Sequence, residues 1–135
     1  MFLQPKNLKF KKFQKKSLKN IDFRSNKLNF GNAGLKALNS GTITARQIEA
    51  TRQAINRKIK RKGKIWIRIF PFLSITKKPT EVRMGKGKGL VHHWAVKIKK
   101  GRVLFEICGV AKKKAILALN AGKSKLPVST TVVFN

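Results

Sequence analysis

The chain has 135 residues, of which 33 are Lys or Arg and only 4 Asp or Glu, giving a formal net charge of +29 at pH 7. That length suits one domain, and a hydrophobic content of 41% is enough to fill its core. The charge excludes a self-sufficient monomer with a balanced surface: Asp22, Glu49, Glu81 and Glu106 neutralise almost none of it, so an anionic partner is expected.

Nucleic acid is favoured over anionic membrane as that partner, because each neutralised phosphate releases condensed counterions. No apolar run is long enough to span a bilayer, and the opening M-F-L-Q-P lacks the apolar core of a secretory signal. A soluble protein that is not secreted is expected. Cys108 stands alone, which rules out an intrachain disulfide and a cysteine-built zinc site and fits a reducing compartment. Lysine far outnumbers arginine, Ile, Asn and Phe are frequent, and Tyr is absent, as in products of AT-rich genes. The first twenty residues are rich in Lys, lack Arg and hold one Ser, unlike an imported presequence. An organelle-encoded or bacterial product is expected.

From residue 1 to 29 no apolar period persists, and Lys6, Lys9, Lys11, Lys12, Lys15, Lys16 and Lys19 are interleaved with Leu8, Phe10 and Phe13. This segment reads as a basic RNA-binding arm that disorders without its partner, with Phe10 and Phe13 able to insert into RNA. Residues 30–135 then form a single domain. Phe30 to Asn39 reads as an edge strand broken by Gly31 and Gly34, followed by a turn at Ser40 and Gly41. Thr44 with Gln47 makes a capping box, and Gly63 follows the basic turn Lys60, Arg61, Lys62, so a helix is predicted over 45–62.

On that helix Ile48, Ile55 and Ile59 line one face, with Ala45 and Thr51 at its margins. Arg46, Gln53, Arg57, Lys60 and Arg61 face away, toward RNA, while Arg52 lies beside the apolar stripe with its stem on the core. Lys64 to Phe70 alternates as a strand, ended by Pro71, with Trp66 as a core anchor. Residues 71–90 lack sustained periodicity and read as one long functional loop. His92 to Lys99 and Arg102 to Cys108 alternate again and predict an antiparallel hairpin turning at Lys100 and Gly101, with Trp94 a second core anchor. Ala111 to Ala121 reads as a helix stopped by Gly122, and Val128 to Phe134 as a last strand. The sum is an α+β fold: an antiparallel or mixed sheet with two helices packed on it, a basic extended arm and a long Gly/Lys loop.

That loop carries the most specific chemistry. In E-V-R-M-G-K-G-K-G, Gly85, Gly87 and Gly89 remove side-chain bulk while Arg83, Lys86 and Lys88 bring charge, which lets backbone N–H groups approach phosphate oxygens. A dinucleotide loop would need glycine where Leu90 stands. Gly122-Lys123-Ser124 imitates a P-loop ending, but the first glycine would fall at Leu117 within a helix. His92 and His93, adjacent on a strand, are expected on opposite faces and so unable to share a metal; no metal or cofactor is expected. The scattered acids do not make a hydrolytic pair, and Cys108 has no identifiable base, so no catalytic residue is expected. Two rival readings are a nonspecific nucleic-acid compaction protein, which needs no singular loop, and a phosphate-handling enzyme.

Six segments carry a resemblance: Q-P-K at 4–6, F-G-N-A-G-L-K-A at 30–37, T-A-R-Q-I-E-A at 44–50, G-K-I-W-I-R-I-F-P at 63–71, K-P-T-E-V-R-M-G-K-G-K-G at 78–89 and L-P-V-S-T-T at 126–131. In this order, along nearly the whole chain, they resemble the bacterial-type large-subunit ribosomal protein L sixteen family. The resemblance implies binding to large-subunit rRNA beside neighbouring ribosomal proteins, and a part in shaping the aminoacyl-tRNA (A) site. It implies that the loop of Arg83, Met84, Gly85, Lys86, Gly87, Lys88 and Gly89 projects toward the peptidyl transferase region, in reach of A-site tRNA. In some bacteria the family's loop arginine is hydroxylated, the position that Arg83 matches. The sequence departs from the family pattern at Phe72, Leu73 and Ser74, at Leu90, His92 and His93, and at Cys108. Those departures point to a divergent lineage, with a mitochondrial ribosome favoured over a bacterial cytoplasm or a plastid.

Overall fold

The computed structural model describes residues 3–15, 18 and 20–135, and contains two sheets and two helices. Lys16 and Lys19 of the basic run lie outside the described residues. A four-stranded sheet has the order β3 (Lys64–Ile67), β6 (Val103–Cys108), β1 (Ala33–Ala37), β7 (Thr130–Phe134). A three-stranded sheet has the order β2 (Gly41–Thr44), β5 (Leu90–Ile98), β4 (Leu73–Lys77). All pairings are antiparallel. Helices α1 (Ala45–Lys58) and α2 (Lys112–Lys123) pack on each other and on both sheets, so the expected α+β class holds.

The capping box forms as predicted. Thr44 N–H donates to Gln47 Oε1 at 2.9 Å, and Gln47 N–H donates to Thr44 Oγ1 at 3.3 Å. Ile48, Ile55 and Ile59 are buried in one core cluster with Leu35, Ile43, Val96, Ile98, Phe105, Ile107 and Leu119. Fully burying such a side chain is worth about 1.5–3 kcal/mol. The cluster therefore ties both sheets and both helices together.

Several expectations are corrected. β1 is a central strand, between β6 and β7, where an edge was expected. Gly34 does not break it: a Cβ there would lie 2.7 Å from the Phe105 carbonyl oxygen, so the glycine marks a close approach of chain to chain. Gly122 lies inside α2 instead of ending it, because a Cβ would sit 2.7 Å from Ile55 Cγ1 and hold the helices apart. The expected hairpin does not form. β5 and β6 belong to different sheets, and Gly101, at φ +90°, turns the chain from one to the other while donating its N–H to Ala37 O at 2.8 Å. Within the expected long loop, Leu73–Lys77 is β4, which leaves 78–89 as the free segment. Helix α1 ends four residues before the predicted limit, with Ile59 as C-cap and Lys60 and Arg61 at φ 54° and 62°.

Before Ala33 the described residues contain no helix or strand. They are nonetheless tied down. Leu3 is buried in the core cluster, Asp22 N–H donates to Lys100 O, and Val103 N–H donates to Ser25 O. Glu106, fully buried on β6, accepts the N–H groups of Asn29, Phe30 and Gly31 on Oε2 at 3.2, 2.7 and 2.8 Å, and pairs through Oε1 with Arg68. One of the four acids of the chain is thus spent on fixing the segment that leads from the arm into β1.

Candidate nucleic-acid interface

The cations singled out from sequence sit on three separate segments, and every one within the described residues is exposed. Lys6, Lys9, Lys11, Lys12 and Lys15 lie on the arm, Arg46, Arg57, Lys60 and Arg61 on or just beyond α1, and Arg83, Lys86 and Lys88 on the 78–89 loop. Arm and loop meet. Lys12 Nζ donates to Lys88 O at 2.9 Å, and Lys88 Nζ donates in return to Phe13 O. On α1, at 1.5 Å per residue, Arg57 and Arg46 are separated by about 16 Å along the axis.

The loop backbone is unusual. Gly85, Lys86 and Gly87 follow one another at φ +93°, 50° and +85°, the left-handed region that costs a non-glycine residue on the order of 1 kcal/mol. Lys78 Nζ donates to Gly85 O and braces the turn. Nothing lies within 4 Å of a Cβ built on Gly85 or Gly87, so these glycines serve backbone conformation and outward approach, not internal packing. Met84 at the tip is 98% exposed. An exposed thioether flanked by cations on a strained loop has no role in holding this fold.

The helix arranges its charges by pairing its acid away. Glu49 accepts from Arg52 at 2.7 and 3.0 Å and from Gln53 at 3.2 Å. The Arg52 hydrogen bonds outweigh desolvation and hold the Glu49 carboxyl below its ordinary value. The Arg52 guanidinium is committed to this pair, while Arg46 and Arg57 stay exposed.

A cleft of about 740 Å³ separates Leu3 and Gln4 of the arm from the first turns of α1 and from His92, His93 and Trp94 of β5. The two histidines contradict their expected divergence. Ile75 pairs with His93 but Thr76 pairs with Val91, so His92 is the extra residue of a β-bulge. The bulge brings the Nδ1 atoms within 2.8 Å. Burial, then the neighbouring His92, Arg46 and Lys15, push the His93 pKa down from its ordinary value. No group of three His, Cys, Asp or Glu placed to hold a metal occurs among the described residues.

The aromatic expectations also need correction. Neither Trp66 nor Trp94 belongs to the core cluster; both are half-buried. Trp66 stacks instead on Phe30, which is 57% exposed, with centroids 6.1 Å apart and planes 19° from parallel. Phe10 is exposed, as its proposed role requires, while Phe13 is half-buried. Phe30 was missed as a surface residue because its segment reads as the start of a strand. The signal lay in Gly31, which interrupts that strand before β1 begins.

Fold and surface define a basic α+β protein with cations displayed on an arm, a helix face and a loop, built to lie against a polyanion. The chain belongs to the family described as ribosomal protein L16p/L10e, whose model matches residues 5–133. It is 56% identical over 131 residues to the large ribosomal subunit protein uL16 of Francisella tularensis subsp. holarctica, covering 97% of this chain and 96% of that one. The uL16 proteins of Maricaulis maris and Leptospira biflexa match it at the same identity and the same coverage. A member of this family is a structural part of the ribosome, not an enzyme, and its partners are rRNA and other ribosomal proteins.

Proposed function

We propose that this chain is a structural constituent of the large ribosomal subunit, in which arm, α1 and loop neutralise rRNA phosphates and the loop reaches toward the A site. The family match over residues 5–133 carries the assignment to the subunit. The observation that supports a functional placement of the loop is its strained, cation-flanked tip with Met84 almost wholly exposed. Lys6, Lys9, Lys11, Lys12, Lys15 and Lys16 contribute charge from the arm. Arg46, Arg57, Lys60 and Arg61 contribute it from the helix, and Arg83, Lys86 and Lys88 from the loop. Backbone approach at Gly85 and Gly87 completes the contact, whereas Gly89, expected to share that role, instead lets the loop pack on β4, since a Cβ there would lie 2.7 Å from Lys77 O.

A tethered probe tests the placement. An iron chelate attached at Met84→Cys, in a Cys108→Ser background, is expected to cleave rRNA of the peptidyl transferase region and the acceptor end of A-site tRNA in assembled subunits. Cuts confined to peripheral rRNA would contradict it. The departures from the family pattern at Phe72, Leu73, Ser74, Leu90, His92, His93 and Cys108 favour a mitochondrial ribosome as the location, while the relatives named above are bacterial. Cosedimentation with mitochondrial large subunits is the expected result, and its absence from that fraction would return the chain to a bacterial cytoplasm or a plastid.

A further inference from the structure

Phe30 and Trp66 have no place in the core, yet they are held in fixed register. Glu106 fixes the Phe30 backbone by accepting its N–H at 2.7 Å, and the flanking N–H groups of Asn29 and Gly31 bind the same oxygen. Trp66 projects from β3, an edge strand, and pairs in register with Glu106 itself. The Glu106 carboxylate thus fixes the Phe30 backbone and the Arg68 guanidinium, while strand pairing with the Glu106 backbone sets the register of Trp66. The cost of burying that charge is offset by three N–H donors and Arg68. A side-chain pair needed only for hydrophobic packing does not require such an anchor.

Cations complete the arrangement. Lys64 Nζ lies 5.2 Å from the Trp66 ring centroid, and Arg68 Cζ lies 5.2 Å from that of Phe30. Arg68 is fixed by Glu106, whereas Lys64 is exposed on a flexible stem. The only carboxylate in the cluster is fully buried, so what faces solvent is aromatic and positive. That surface disfavours a cationic protein partner and suits an unpaired nucleotide whose base stacks on the exposed ring.

We propose that Phe30 and Trp66, flanked by Lys64 and Arg68, form a platform on which an unpaired rRNA base stacks, taking the position over Trp66 that Lys64 holds in the free protein. The platform lies where the arm leads into β1, and rests on the reading of the chain as an rRNA-binding protein. It differs from the cationic contacts of arm, α1 and loop in kind. Stacking depends on a π-face and not on counterion release, so it needs single-stranded bases and leaves the salt slope unchanged.

Tryptophan emission reads the contact directly. In a Trp94→Phe background Trp66 is the sole tryptophan, and binding of large-subunit rRNA is expected to quench it, whereas a duplex DNA of equal length bound at low salt does not. Trp66→Leu, with Trp94 intact, is expected to weaken rRNA binding by about tenfold to a hundredfold at an unchanged salt slope. Should that variant fold poorly, Phe30→Ser carries the same expectation, since Phe30 is largely exposed and its N–H contact with Glu106 survives. Unchanged Trp66 emission in a parent protein that binds rRNA overturns the platform alone, as does equal quenching by duplex DNA. Failure of the parent to bind rRNA overturns the rRNA reading and the platform together.

Discussion

Glu106 is the residue whose removal has the widest consequence. Burial alone would raise its pKa, but the N–H groups of Phe30 and Gly31 and the Arg68 guanidinium outweigh it and hold the carboxyl below the ordinary value of 4.5. A carboxylate depressed in the folded state contributes stability that is fully present above its unfolded pKa and is lost as pH falls through its folded one. Stability is therefore expected to hold at neutral pH and to decline once pH drops below about 4.5, as followed by thermal melts across an acid series. Glu106→Gln leaves Arg68 and three N–H donors facing an amide. It is expected to lower stability at pH 7 by about 3 kcal/mol and to flatten the acid limb of the profile. An unchanged acid limb would mean that other groups govern acid unfolding.

At the scale of elements, α1 shows a conflict between stability and display. Lys60 follows the C-cap, where glycine is favoured, and it and Arg61 both take left-handed backbone. Lys60→Gly is expected to raise stability by about 0.5–1 kcal/mol in denaturant titrations. The same change is expected to reduce the slope of log affinity against log salt for rRNA by about 1, because one phosphate contact is lost. A variant that gains stability without losing slope would remove Lys60 from the interface.

The elements also show what could be read from sequence. Thr44 and Gln47 fixed the start of α1 because a capping box is local chemistry, and Ile48, Ile55 and Ile59 marked its buried face because helical periodicity is local geometry. Alternation in β5 and β6 identified strands but not partners, since a period of two specifies faces and says nothing of which strand lies alongside. The two strands consequently looked like a hairpin. β4 was hidden by its brevity between Pro71 and Pro79. Gly34 and Gly122 were read as breaks because close approach by a distant segment leaves no trace in neighbouring residues. The bulge at His92 was equally invisible, as it arises from the register of β4 against β5. Exposed cations were legible as a set, while the hydrogen bonds that join Lys12 to Lys88 depend on the folded chain.

For the whole molecule the governing quantity is a net charge of +29 carried by 135 residues. Its core is ordinary: buried aliphatic side chains hold two sheets and two helices together, and three of its four acids, Asp22, Glu49 and Glu106, are engaged in ion pairs. The excess of cations lies outside, on an arm and a loop that hold each other and on a helix face. Such a distribution suits a protein that gathers several RNA segments more than one that grips a single site. Family membership supplies the partner.

The most direct test of that account is the affinity of the full chain for large-subunit rRNA as a function of salt. With roughly 6–10 phosphates neutralised, binding is expected to weaken on the order of 10³- to 10⁵-fold between about 50 and 200 mM salt, linearly in log–log form. An affinity that stays flat across that range would contradict an interface built from these cations.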